Sequence, residues 1–288
     1  MTMKKKKGFT LIELLVVIAI IALLLSIIAP ALRIVKMKAY SSVCLTNTKN
    51  LSLAWYMYKE ANDDRIMSAL MGGRESDGTW VGWIERPYAV DPGDRGIRTS
   101  TPPVTDEDEI RGIERGRLHE YLQSPQAYHC PGDRVRKSKY DGTPIFVSYS
   151  LASCLYGHTD PAQTIYNRQI RRFSRITSPA LRYTFVESAE ERNWNENGRF
   201  RMAAPEATNR IDWGWWGPIA INHGDSSVLG FTDGHSEVRR WKDSFTRERV
   251  VKLSRMGVDL YDMEYPPLDQ TADIEYMARG WAYRHLKK

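Results

Sequence analysis

The chain is poor in the motifs that build familiar catalytic and metal sites. It has three cysteines and no Cys-x-x-Cys pair, which argues against a conventional structural zinc site. It has no Gly-x-Ser-x-Gly or Cys/His nucleophile signature and no glycine-rich phosphate loop. No tandem repeat or long low-complexity tract is visible. These absences predict a protein that is not an enzyme and that carries no cofactor.

The start of the chain combines a basic cluster with a long apolar run. Four lysines, Lys4 to Lys7, precede Gly8. The run from Leu11 to Ala29 carries a single charge, at Glu13. About 20 apolar residues span a bilayer core, so we expect a membrane segment with the lysines on the cytoplasmic side. A signal peptide or a plain anchor would share this pattern but would not explain Glu13, because a carboxylate inside a membrane segment costs about 2.5–3.5 kcal/mol.

The segment Lys7-Gly8-Phe9-Thr10-Leu11-Ile12-Glu13 resembles the prepilin leader of bacterial type IV pilins and type II secretion pseudopilins. The resemblance implies that a membrane peptidase cuts after Gly8 and that the new N-terminus, Phe9, is methylated. It also implies that Glu13 pairs with the Phe9 amine of a neighbouring subunit. The implied partners are the prepilin peptidase/methyltransferase, other pilin or pseudopilin subunits and the inner membrane. A single pass would leave the head in the periplasm.

The net charge gives little support for a polyanionic partner. The chain has a formal charge of +6, but Lys4 to Lys7 lie in the leader, so the processed chain would carry about +2. A charge this small is weak evidence for a polyanion partner. We therefore expect no nucleic-acid partner.

We predict an α+β, pilin-like fold with a long N-terminal helix packed on an antiparallel sheet. Residues 1–8 form the leader, and residues 9–30 form the transmembrane and assembly helix. Residues 31–62 continue as an amphipathic helical spine. Residues 63–288 form a large globular head that contains the sheet and C-terminal helices.

The three cysteines allow one disulfide with one residue left over. The exported side of a bacterial membrane is oxidising, so a disulfide is permitted there. We pair Cys44 with Cys130, which would clip the Cys130-Pro131 loop to the helical spine and leave Cys154 as a buried thiol. The alternative is that all three are buried thiols.

A second informative pattern lies near the end of the head, where His223 is followed by nine residues and then by Asp233-Gly234. Two alternating segments, 227–232 and 235–241, flank this dipeptide and predict a hairpin with a type I′ turn. The arrangement resembles the prepilin-associated domain named for its His-x(9)-Asp-Gly motif, which occurs in families with the same leader. This resemblance indicates lineage better than activity.

Three residues of this pattern are candidate metal ligands. His223, Asp233 and His235 have suitable donor atoms, and Glu187 could add a fourth. Hydrogen bonding by His223, at the hairpin or to Asp233, is the simpler interpretation, and we favour it. A metal site would require these side chains to converge in an open cleft.

The sequence therefore predicts a pseudopilin or minor-pilin-like structural subunit of a type II secretion or type IV pilus-like filament. Two alternatives belong to other classes. One is a carbohydrate- or surface-binding module that uses Trp213, Trp215 and Trp216 as a stacking platform. The other is a membrane-tethered metal-dependent enzyme at His223, Asp233 and His235.

Overall fold

The computed structural model places the chain in two units, Met1–Ala39 and Tyr40–Lys288. The residues that it describes are 10–69, 82–85, 105–134, 146–156, 170–188, 199–203, 213–215, 217, 219–250 and 265–281. The leader and the cleavage position Gly8-Phe9 lie outside these residues.

One long helix, α1, runs from Leu11 to Ala61. Its large apolar side chains up to Ile28 are exposed. Among the described residues, α1 is the one helix that is long and apolar enough to cross a membrane. It ends where Asp63 and Asp64 take left-handed backbone angles, with φ of 52° and 65°, a conformation that does not continue a right-handed helix. The predicted spine was expected to reach residue 62.

The part of α1 that belongs to the second unit has one buried face. Each residue on this face has another three or four positions away: Cys44, Thr48, Leu51, Ser52, Trp55 and Tyr58. That spacing places them along one side of a helix. Ser52 packs on the main sheet, where its hydroxyl group is hydrogen-bonded to that of Thr184 at 2.8 Å. Trp55 and Tyr58, closer to the end of the helix, contact the rings of Phe173 and Tyr121.

The main sheet has five strands in the order β3-β1-β2-β6-β7. The strands are β1 (Tyr149–Ala152), β2 (Tyr183–Glu187), β3 (Arg199–Phe200), β6 (Ser226–Phe231) and β7 (Ser236–Arg240). Neighbouring strands are antiparallel except β3, which is parallel to β1. A separate two-stranded sheet pairs β4 (Met202–Ala203) with β5 (Gly214–Trp215). The predicted α+β class, with a long helix packed on a mainly antiparallel sheet, is confirmed.

Strand β2 is buried on both faces. Successive side chains of a strand point to opposite faces, so Thr184 faces α1 and Tyr183 faces the other side. The Tyr183 hydroxyl donates to the Met277 carbonyl at 2.9 Å. Met277 lies in the C-terminal helix α3 (Ala272–Gly280). A third helix, α2 (Asp106–Arg115), begins with a capping box between Thr105 and Asp108.

The hairpin between β6 and β7 forms where it was predicted, but its turn is different. A type I′ turn needs positive φ at both central residues. Of the two predicted central residues, only Gly234 has positive φ, at 93°. The Phe231 N–H donates to the His235 carbonyl at 2.8 Å, so the loop holds three residues, 232–234. A three-residue loop with glycine in the left-handed position is the next most common hairpin connection.

Gly230 sets the distance between β6 and α1. A Cβ at this position would lie 2.8 Å from Thr48 Cγ2 and still closer to Ser52 Oγ. We expect Gly230→Ala to lower the free energy of unfolding by about 2 kcal/mol, because α1 must move away from the sheet. Ser52→Ala removes the nearer atom, so the double variant should lose less than the two single variants together. Denaturation of the full-length protein in detergent measures each loss. Strictly additive losses would contradict this role for Gly230.

Candidate functional site

The start of α1 is closed by a capping box between Thr10 and Glu13. The Thr10 backbone N–H and hydroxyl donate to Glu13 Oε2 at 2.8 and 2.7 Å. In return, the Glu13 N–H donates to the Thr10 hydroxyl at 3.3 Å. Both carboxylate bonds end on Oε2, and Oε1 accepts none from the described residues. Glu13 therefore has a local role at the helix terminus, and one of its oxygens remains available.

A second site is a buried cluster of four side chains in the head: Cys44, Cys130, Glu187 and His223. One ligand-type atom from each lies within 4.8 Å of the other three. The two cysteines and Glu187 have no exposed surface, and His223 is 8% exposed. The four residues come from four separate segments, which are α1, a turn, the end of β2 and the loop before β6.

The two cysteines lie side by side as thiols, with their sulfurs 2.8 Å apart. Cys44 reaches the cluster because it lies on the buried face of α1. Cys130 is held by a tight turn through Pro131-Gly132, in which the Asp133 N–H donates to the Cys130 carbonyl at 2.9 Å. The structure thus places the two cysteines that were predicted to pair next to each other, and the disulfide itself stays a prediction.

Glu187 and His223 form a buried ion pair beside the thiols. Glu187 Oε1 lies 3.0 Å from His223 Nε2, and Oε2 accepts the Val228 N–H at 2.7 Å. His223 Nε2 is also 3.5 Å from the Cys130 sulfur. Gly132 lets this turn come close, since a Cβ there would lie 3.3 Å from His223 Cε1.

Contacts within the cluster shift the pKa values of two of its members. Burial disfavours the charged imidazole, but the hydrogen bonds to Cys130 and Glu187 and the charge of Glu187 raise the pKa of His223 to about 10. The hydrogen bond to Cys44, followed by burial, raises the pKa of the Cys130 thiol. At neutral pH His223 is therefore an imidazolium and Cys130 is a neutral thiol.

The proposed triad of His223, Asp233 and His235 does not assemble. His223 precedes β6, whereas Asp233 and His235 follow it, and a six-residue strand is about 20 Å long. His235 instead pairs with Asp233, and its Nδ1 lies 2.5 Å from Asp233 Oδ1. The His235 ring stacks on that of Phe231. Of the suggested ligands, only Glu187 lies within hydrogen-bonding distance of His223.

The tryptophans do not form an open platform in the part of the head that the structure describes. Trp215 is 2% exposed, and its ring meets that of Trp241 edge to face, with centroids 6.1 Å apart. Trp213 is partly buried against the core, and Trp216 lies outside the described residues. Trp215 is thus a core residue rather than a stacking surface for a sugar.

Sequence reasoning identified each member of the buried cluster but did not join them. Cys44 and Cys130 were considered as a disulfide, while Glu187 and His223 were considered with Asp233 and His235. The available signals were the Cys-Pro turn, the Glu-Ser end of a strand and the His-Gly loop. Each signal is local, so none of them indicates that the four residues share one site.

Comparison with known proteins gives one match, at the start of the chain. Residues 3–29 match the model of the prokaryotic N-terminal methylation motif. No curated protein and no solved structure matches the chain. The match supports a prepilin-type protein, pilin-like or pseudopilin, and together with the apolar part of α1 it supports a membrane anchor with a single span. The head lies outside the matched segment.

The Glu187–His223 pair should make a large contribution to the stability of the head. Gln has the shape of Glu but replaces one acceptor oxygen with a donor, while His223 Nε2 and the Val228 N–H both need acceptors. We expect Glu187→Gln to lower the free energy of unfolding by about 3 kcal/mol, as when one member of a buried pair is removed. Denaturation of the full-length protein in detergent gives this value.

The matched control for this variant is Glu248→Gln, because Glu248 is exposed. The same change of charge should alter stability by less than about 0.5 kcal/mol there. Equal effects of the two substitutions would mean that net charge, rather than the buried pair, produces the loss.

Proposed function

We propose that this chain is a pseudopilin or minor-pilin-like subunit of a type II secretion or type IV pilus-like filament. In this proposal a prepilin peptidase/methyltransferase cuts after Gly8 and methylates Phe9. The N-terminus starts in the cytoplasm, the first half of α1 crosses the inner membrane, and the head lies outside the cytoplasm. The match of residues 3–29 to the methylation motif carries the proposal.

The role proposed is assembly rather than catalysis. The apolar side chains from Leu11 to Ile28 are exposed, which suits a helix that packs in lipid or against other subunits. The carboxylate of Glu13 has one oxygen outside the capping box and could accept a bond from a neighbouring subunit's Phe9 amine. In the described part of the head, the main titratable cluster is buried, and this disfavours a role in turnover of a soluble substrate.

The first test is processing of the full-length chain, made with and without a prepilin peptidase. We expect a peptidase-dependent product that begins at Phe9 and is heavier by one methyl group than the cut chain. Intact-mass measurement and N-terminal sequencing identify it. A product that retains Met1, or one that is cut after Ala29, would rule out the assembly pathway and leave an anchored or secreted domain.

The second test separates the two roles of Glu13. Gln also serves at the third position of a capping box, so Glu13→Gln keeps the helix start but removes the charge. We expect this variant to be cut normally but to assemble at least tenfold less, because the Phe9 amine loses its anionic partner. Co-purification of two differently tagged copies from membranes that contain the peptidase measures assembly.

The companion variant is Glu13→Ala, which removes both the cap and the charge. If charge pairing drives assembly, the Gln and Ala variants should be equally defective. Wild-type assembly by the Gln variant, with a defect confined to the Ala variant, would show that Glu13 acts only as a helix cap.

A further inference from the structure

We propose that Cys44, Cys130, Glu187 and His223 form a four-ligand site for a divalent transition metal ion of the zinc class. The site would be occupied when both cysteines are reduced. This inference concerns the head alone and does not depend on the proposed assembly role.

The donor set matches the coordination preferences of zinc. Zinc takes thiolate, imidazole and carboxylate ligands, and its structural sites have four of them in a closed arrangement. Here two sulfurs, one imidazole nitrogen and one carboxylate lie within 4.8 Å of one another and are almost completely buried. The absence of a Cys-x-x-Cys pair does not oppose such a site, because folding brings the ligands together from distant segments.

Two of the distances between donor atoms are close to those of a tetrahedral site, and the distance between the two sulfurs is shorter. With the usual bond lengths to zinc, neighbouring ligand atoms lie about 3.6 Å apart for nitrogen and sulfur and about 3.4 Å apart for nitrogen and oxygen. The corresponding distances here are 3.5 Å from His223 Nε2 to Cys130 Sγ and 3.0 Å from Nε2 to Glu187 Oε1. The two sulfurs would have to separate from 2.8 Å to about 3.8 Å.

A buried hydroxyl beside the cluster supports the same conclusion. Tyr149 is 1% exposed, and it is paired with Glu187 across β1 and β2. Its hydroxyl lies against the Cys44 sulfur. A thiolate is a much better acceptor than a thiol, so metal binding at Cys44 would strengthen this contact.

Binding exchanges protons for the metal. The two thiol protons and the Nε2 proton of the imidazolium leave, and one divalent ion enters, so the charge of the cluster changes by −1. No electron is transferred. The ion would join α1, the Cys130 turn, β2 and the approach to β6, and its binding free energy would add to the stability of the fold.

The predicted disulfide and the metal site are mutually exclusive, because they use the same two sulfurs. The experiment therefore uses full-length protein in detergent, reduced with a phosphine reductant and purified without chelator. Metal analysis measures bound zinc, and titration with Co²⁺ gives a spectrum that reports tetrahedral coordination by thiolate. We expect one ion per chain and a charge-transfer band between sulfur and cobalt.

Two variants complete the test. Cys130→Ser should abolish stoichiometric binding and the band, whereas Cys154→Ser should leave both unchanged, because Cys154 is outside the cluster. If Cys130→Ser fails to fold, thermal unfolding of the reduced wild-type protein with and without added Zn²⁺ replaces it, and we expect zinc to raise the melting temperature. Failure of the reduced wild-type protein to bind zinc or cobalt would overturn the proposal, and an unreduced chain lighter by two hydrogens would then favour the disulfide.

Discussion

The Glu187 carboxylate is the constraint on which the arrangement of the head depends. It has no exposed surface, and an ionised group in that position is costly unless each oxygen is satisfied. One oxygen is paired with the His223 imidazolium, and the other accepts a hydrogen bond from the Val228 N–H. Val228 belongs to β6, so this one side chain links the end of β2 to the neighbouring strand, beside the backbone pair Val186 and Leu229.

The spacing of the His-x(9)-Asp-Gly pattern follows from the strand that it encloses. His223 lies in the loop before β6 and holds this loop at the buried cluster. Gly234 forms the turn at the other end of the strand. A Cβ on Gly234 would lie 2.6 Å from Leu53 Cδ2 on α1, so the turn also packs against the helix. The nine intervening residues contain the strand and its two connections. The motif is therefore explained by two structural attachments, and Asp233 contributes by bonding to His235 rather than to His223.

The elements that could be predicted are those that depend on residues close together in the sequence. The length of the apolar run predicted α1, and the alternation of apolar and polar residues around Asp233-Gly234 predicted the hairpin. The type I′ turn was wrong because the dipeptide signal does not report loop length, and the observed loop includes Thr232. The sequence also suggested the neighbours Cys44 and Cys130, and Glu187 as a partner of His223. That the two pairs meet in one cluster could not be predicted, since a contact between residues 93 positions apart, as between Cys130 and His223, depends on how the strands are ordered.

In the proposed assembly, the carboxylate of Glu13 would have a partner outside its own subunit. A helix cap contributes about 0.5–2 kcal/mol, whereas a carboxylate at the centre of a membrane helix costs about 2.5–3.5 kcal/mol. Glu13 is the third residue of α1, so its cost is below that of the helix centre, but a cation at the same depth would still stabilise the charge. Cleavage after Gly8 would create such a cation at the Phe9 amine. Pairing of Glu13 with the Phe9 amine of a neighbouring subunit would then favour the assembled state over the isolated subunit.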